Sequence, residues 1–309
     1  GLRVKPSVIP AHADLKRGVA GGVTTVLYIP GSGTNMSGQG VLLKTAFERY
    51  EEAELRFPGS LKLAQAGNPE RWGFGVGRSF MNWNTRNVFQ RGRTYAEAWK
   101  AYEMGRGPRP EKSLELEIFR PLFAHETQVS VHTQIYQVVL MTVTMLSDEF
   151  GLDGYIDHGE FDGYKVAPLA EAAGMPAIVG PRVIATTFPY FVDTDGRILG
   201  LAGEFQRLGH TRIGFNTDSP VVPEENLPLQ AAMGARYGFD DSMMDAVRGL
   251  TIIPAEAAGI DEFVGSLEPQ KQADLFIADG NPIDPRTSVE RVFIEGRLVY
   301  DATAEPRRF

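Results

Sequence analysis

Val129-Ser-Val-His132, Tyr155-Ile-Asp-His158 and Gly214-Phe-Asn-Thr-Asp218 are three short runs of one design. Each is a β-like stretch that ends in a potential metal ligand and is followed by a helical stretch. In a barrel of parallel strands such ends converge on one face, where active sites are built. Two imidazoles and a carboxylate suit a borderline divalent ion such as Zn²⁺.

Working outward, helix-like and strand-like segments alternate, the α/β signature. Ala13 to Ala20 reads as a helix, followed by a buried strand from Gly21 to Ile29. Gly40 to Thr45 reads as a strand, Ala46 to Arg56 as a helix and Ser60 to Gln65 as a third strand. After Val129 to Thr133 comes a helix from Tyr136 to Phe150. Tyr155 to His158, Ala177 to Gly180 and Ile213 to Asn216 complete seven core strands. An eight-stranded (β/α) barrel needs one more. Because a helix precedes the first strand found, the missing one is expected before residue 1.

The stretch from Ala66 to Gln128 holds Trp72, Trp83 and Trp99. It reads either as a substrate-covering lid or as a structural insertion with its own small core. Past Pro254 the pattern shifts to short strands at Ala273–Ala278, Val289–Ile294 and Arg297–Tyr300, with a tight turn at Glu295-Gly296. Three strands are too few for an independent sheet, so they are expected to complete a partial β-sandwich. The expected division is a barrel over 1–255 and sandwich strands over 256–309.

The 309 residues are 43% hydrophobic and 23% charged, with a net charge of −8. That balance argues against nucleic acid and anionic membranes as partners and leaves a small molecule, with a homo-oligomer open. There is no cysteine, hence no disulfide and no thiol nucleophile. No apolar run is long enough for a membrane span. The compartment is not readable.

Two blocks resemble the amidohydrolase superfamily, in its imidazolonepropionase- and prolidase-like branch. One is Gly22-Val-Thr-Thr-Val26 with Pro30-Gly-Ser-Gly33 and Ser37-Gly-Gln-Gly40. The other runs from Asn216-Thr-Asp-Ser-Pro220 through Leu250-Thr-Ile-Ile-Pro-Ala255 and Gly265-Ser-Leu-Glu-Pro-Gln-Lys-Gln-Ala-Asp274 to Val299-Tyr300. Gln270 and Gln272 stand where Gly and Asp are usual. The resemblance implies a metal-bearing (β/α)₈ TIM-type barrel beside a small β-sandwich. It makes His132 and His158 the fifth- and sixth-strand histidines. Asp218 becomes the eighth-strand aspartate, which touches the metal and takes the proton from its water.

The family's first strand carries His-x-His, and this chain has no such motif. His12-Ala-Asp14 is placed by the helix ahead of the first strand, on the barrel's outside. The chain is therefore expected to be a fragment. Lys62, in Ser60-Leu-Lys-Leu-Ala64, is a charge on a strand. Some superfamily members carry a carboxylated lysine there, whose carbamate bridges two metals; Lys44 is the alternative for that role. Arg86, Tyr136, Gln137 and Arg182 fall in or beside strand-end loops and are candidates for holding a substrate carboxylate or amide carbonyl. His125 and His210 are expected at the surface. The expected activity is hydrolysis of a C–N bond, amide or cyclic amide, with one or two divalent ions, zinc by preference. Asp218 and His158 would act in catalysis, and His132, His158, Asp218 and Lys62 would hold metal. The alternatives are a non-catalytic, truncated barrel and a deaminase on the same scaffold.

Overall fold

A computed structural model describes residues 2–65, 68–71, 77–185 and 198–305. Seven strands form one curled sheet in chain order: β1 (Thr25–Tyr28), β2 (Met36–Lys44), β3 (Glu54–Ala64), β4 (Val129–Thr133), β5 (Gly154–His158), β6 (Ala177–Val179) and β7 (Ile213–Phe215). All seven expected strands are present. From β3 onward the neighbours are parallel, joined by helical crossovers.

The first three strands depart from the expected repeat. β1–β2 and β2–β3 are antiparallel. The Ile29–Asn35 link is too short for a parallel crossover, which takes a dozen or more residues. The expected Ala46–Arg56 helix shrinks to one turn, Tyr50–Ala53, because β3 begins at Glu54. The fold is thus a mixed α/β half-barrel. Among the described residues β1 pairs with β2 and β7 with β6, and the two outer edges do not pair with each other.

Alternation sets the two faces of the sheet. Leu61, Leu63, Val129, Val131, Ile156, Ala177, Val179, Ile213 and Phe215 point outward into the main core beneath the helices. Lys62, Ser130, His132, Tyr155, Asp157, Ile178 and Gly214 have the opposite parity and face the concave side. They sit on linked rungs: Lys62 opposite Ser130 and Ser130 opposite Tyr155. His132 faces Asp157, Asp157 faces Ile178 and Ile178 faces Gly214. Tyr155 and Ile178 pack with Ile253 and Ala257 of the Ile252–Ala258 helix and with Leu27 of β1, forming an apolar floor. Arg56 of β3 donates to the last carbonyls of that helix, Ala258 and Gly259, at 2.6 and 3.0 Å, satisfying groups that a helix end leaves open. An apolar cavity of about 330 Å³ lies between β1 and this helix, lined by Val23, Leu42, Leu250 and Val264 among others.

The long insertion is mainly one helix, Arg78–Glu103, which buries Met81, Phe89, Tyr95 and Trp99. Phe89 joins the main core with Phe119 and Leu122, so most of the insertion is a structural layer of the barrel wall. A Cβ at Gly92 would lie 2.2 Å from the Phe119 ring, so the two segments touch backbone to ring. Trp83 is exposed, and Trp72 lies outside the described residues.

At the C-terminus, β8 (Leu275–Ala278), β9 (Val289–Ile294) and β10 (Arg297–Asp301) form one antiparallel sheet. Glu295 and Gly296 make the turn with positive φ of 53° and 74°, as the tight hairpin requires. Val292, Ile294 and Tyr300 pack on Val19 and Ala20 of the Ala13–Ala20 helix. The expected second sheet of a sandwich is not seen among the described residues; a helix covers this face instead. No described helix is long and apolar enough to cross a membrane.

Glu224 follows β7 and presses on the Ala13–Ala20 helix, where a Cβ on Gly18 would lie 2.6 Å from its Oε1. It is 8% exposed, and that oxygen has no hydrogen-bond partner among the described residues. Burial, then the charges of Glu225 and Asp14, pushes its carboxyl up from 4.5 to about 8. A raised acid keeps its proton longer in the folded state, so folding stability falls as pH rises through this window. Glu224→Gln should match the parent near pH 4.5. It should be more stable above pH 8, by on the order of 3 kcal/mol. Urea titrations at both ends of the range measure this, and equal stability at high pH would refute it.

Candidate metal and hydrolytic centre

His132 ends the inward face of β4 and is buried. His158 is the last residue of β5 and by parity would point outward, beside Ile156. Its φ of 78° breaks the alternation and turns its ring inward beside that of His132, with centroids 4.5 Å apart. A positive φ is uncommon outside glycine and carries strain. Here it lets two consecutive residues, Asp157 and His158, serve one centre. His158 Nδ1 lies 2.7 Å from the Gly180 carbonyl oxygen and must donate to it, which leaves Nε2 as the nitrogen turned toward the centre.

Lys62 points into the barrel toward the same centre, and its Nζ donates to Asp157 Oδ2 at 2.7 Å. Asn216 Nδ2, just past β7, donates to Asp157 Oδ1 at 3.2 Å and to the Ile178 carbonyl at 2.9 Å. Burial would raise the Asp157 carboxyl, but His158, Lys62 and His132 outweigh it and hold it down to about 2. Burial, then the His158 and Lys62 charges, pushes His132 down to about 2 as well. The centre therefore holds neutral His132 and ionised Asp157.

Asp218 follows at the rim, exposed on one side, with φ 47°. Desolvation by the mouth raises its carboxyl, against the opposing pull of His158. Arg182 acts electrostatically on both Asp218 and His132, which places it at the same mouth. Its guanidinium pairs with buried Glu160 and lies 5.2 Å over the Phe161 ring. Its backbone N–H donates to Glu160 Oε1 at 3.2 Å.

The structure thus brings together His132, His158, Asp218, Lys62 and Arg182. The other candidates lie apart. Arg86 is spent on Glu149, with both nitrogen–oxygen contacts at 2.5 Å, tying the Arg78–Glu103 helix to the Thr144–Phe150 turn. Its neighbours in space, not its nearness in sequence to a strand end, decided that. Tyr136 rests half-buried against the main core, with its backbone N–H on Asp162 at 3.0 Å. Gln137 is exposed on the helix that follows. Lys44 is buried in an ion pair with Asp274, at the junction with the C-terminal sheet. His12 caps the Ala13–Ala20 helix from outside, accepting from the Asp14 N–H at 3.2 Å. His125 pairs with Asp153 at the surface. His210 is buried, contrary to expectation, 3.2 Å from Glu171.

Asp157, Asn216 and Glu160 are not among the site candidates that the sequence offers. Asp157 carried one usable signal, a carboxylate at inward parity on a strand that also ends in a candidate ligand.

Both nitrogens of His132 and Nε2 of His158 are buried without a hydrogen-bond partner among the described residues. Buried polar atoms are normally satisfied. Two orphaned imidazoles beside two carboxylates fit a borderline divalent ion by donor chemistry. As placed, no three His, Asp or Glu side chains among the described residues converge into a ligand set, and the Lys62 ammonium stands on the Asp157 carboxylate.

The sequence model of the Amidohydrolase family matches residues 210–299. A curated relative, "Amidohydrolase tasK" of Hapsidospora irregularis, is 25% identical over 91% of this chain, which spans 31% of that protein's length. The crystal structure of an amidohydrolase from Thermotoga maritima MSB8 superposes with a TM-score of 0.83 at 27% identity, covering 97% of this chain and 78% of that one. The family match falls on the segment that carries β7 and Asp218, and the superposition takes in the curled sheet that presents the two histidines. The chain is thus similar to amidohydrolases, in sequence over residues 210–299 and in fold over nearly its whole length.

Proposed function

We propose that the chain is a metal-dependent hydrolase of C–N bonds in amides or cyclic amides. The observation that carries this reading is the pair of buried imidazoles with orphaned nitrogens, set beside Asp218 at the C-terminal mouth of the parallel strands. His132 and His158 would hold a divalent ion, zinc by ligand type. When bound, such an ion supplies Lewis acidity toward a carbonyl and lowers the pKa of water.

The remaining work falls to this chain's own side chains. Asp218 accepts a proton from water at the mouth and returns it to the leaving nitrogen. Its raised carboxyl is a stronger base than an exposed aspartate. With Nδ1 of His158 held on the Gly180 carbonyl, Nε2 is the ring nitrogen turned to the centre, which supports a ligand role. Arg182, steadied by Glu160 and Phe161, offers N–H groups to a substrate carboxylate or carbonyl.

The test is a panel of dipeptides, N-acyl amino acids, cyclic amides and amino-heterocycles, offered to the metal-depleted and Zn²⁺-reloaded chain. Amine release from an amide, dependent on reloading, is expected. Ammonia from an amino-heterocycle alone would mean a deaminase. A folded, ion-loaded chain that turns over nothing would mean a non-catalytic barrel.

A further inference from the structure

The loop that follows β7 carries Asp218 and is tied at both ends. At its start, Asn216 donates to Asp157 and to the Ile178 carbonyl. At its far end, the Glu224–Asn226 turn packs directly on the Ala13–Ala20 helix. Two glycines let it come so close. A Cβ on Gly18 would lie 2.6 Å from Glu224 Oε1, and one on Gly21 would lie 2.7 Å from the Glu225 Cα. Between the ties the loop closes on itself. The Val221 N–H donates to the Asp218 carbonyl at 2.8 Å, Val222 to Thr217 at 3.1 Å and Asn226 to Pro223 at 3.0 Å. Pro220 and Pro223 each fix one φ angle. Moving Glu224 therefore moves a short, stiff segment that contains Asp218.

The charges at this junction do not balance. Asp14, Glu224 and Glu225 bring three carboxyls, and the Arg17 guanidinium is committed to Asp14 and, at 3.2 Å, to Glu225. The Leu227–Arg236 helix also borders the turn, and its one charged side chain, Arg236, lies at the opposite end. Glu224 is buried, and its Oε1 has no hydrogen-bond partner among the described residues. An ionised carboxylate there would be buried without a cation, against two like charges. Burial first, then Glu225 and Asp14, accordingly pushes this carboxyl up to about 8.

We propose that Glu224 is a protonation latch: as a neutral acid it seats loop 217–226 on the Ala13–Ala20 helix, and its ionisation releases that loop, with Asp218. The inference needs neither metal nor substrate and stands apart from the reaction at the mouth. Released, the carboxylate reaches water and returns to its ordinary value of 4.5, whereas the seated acid keeps its proton up to about 8. Between those values each pH unit favours the released loop about tenfold more, and above the upper one the effect levels off. Asp218 is therefore held most firmly in acid and least firmly in mild alkali.

Hydrogen exchange of the full chain, read by mass spectrometry and corrected for the intrinsic rate, tests this at about pH 5 and about pH 8. The N–H groups of Val221, Val222 and Asn226 should lose at least about thirtyfold in protection between the two. Amides in the middle of the Arg78–Glu103 helix should stay protected at both. Glu224→Gln cannot ionise and should keep the loop protected throughout. Gly18→Ala puts a methyl where Oε1 sits and should expose the three amides already at the lower pH. Undiminished protection in the parent at the higher pH, or a Glu224→Gln chain that loses it as the parent does, would overturn the proposal. So would a Gly18→Ala chain with the parent's protection at the lower pH, a readout that survives if Glu224→Gln fails to fold. Equal loss along the Arg78–Glu103 helix would mean general unfolding in place of a latch, and would overturn it too.

Discussion

Asp218→Asn should lower turnover at least ~100-fold, the scale of general-base catalysis, while the chain keeps its metal. Asparagine preserves the shape at the rim but has no carboxylate to take a proton. His132 and His158, the imidazoles proposed to hold the ion, are buried and are not altered by the change. The residue's left-handed backbone, φ 47°, is one that asparagine also adopts readily, so folding should survive. Steady-state rates on the amide found in the substrate panel, with metal content measured on the same preparation, check both halves. Turnover near the parent's would remove Asp218 from the mechanism. Loss of metal together with activity would make it chiefly a ligand.

Phe89→Ala should cost ~3–5 kcal/mol of stability, the range for emptying an aromatic site in a packed core. Phe89 is wholly buried and meets Phe119 and Phe150 edge-on, with centroids 5.6 and 5.2 Å away. It joins the Arg78–Glu103 helix to the outward face of the sheet, next to Leu63 and Val131 in the same core. Urea unfolding measures the effect. A loss below ~1 kcal/mol would mean that this helix opens without disturbing the barrel, as a lid would. The expected loss would mark the helix as part of the wall.

Much of the frame was legible because strands and turns are local matters. The β-branched and apolar runs at Val129–Thr133, Tyr155–His158 and Ile213–Phe215 marked three strands by composition. The polar residues at or just past their ends marked the mouth, since parallel strands share direction. Glu295-Gly296 announced its hairpin because few residues adopt two positive φ values in succession. The antiparallel start was less legible. Its pairing follows from the length of the Ile29–Asn35 link, and the apolar composition of β1 and β2 suits either direction.

The chain by itself determined which residues have the chemistry for the centre: two histidines, an aspartate and a strand lysine. Tertiary structure decided which of them meet. Lys62 and Lys44 are both lysines on buried strands. Only the register of β3, β4 and β5 sends one toward Asp157, while the other pairs with Asp274 at the C-terminal sheet. Arg86 and Arg182 are equally cationic, and Glu149 holds one on the barrel wall while Glu160 holds the other at the mouth. Asp157 and His158 are consecutive and should face apart; a single left-handed backbone angle at His158 brings both to the centre. Charges separated by 95 residues in the chain find each other only after the strands are paired. A buried ion pair is stable only with its partner in place, and the partner is specified by the fold.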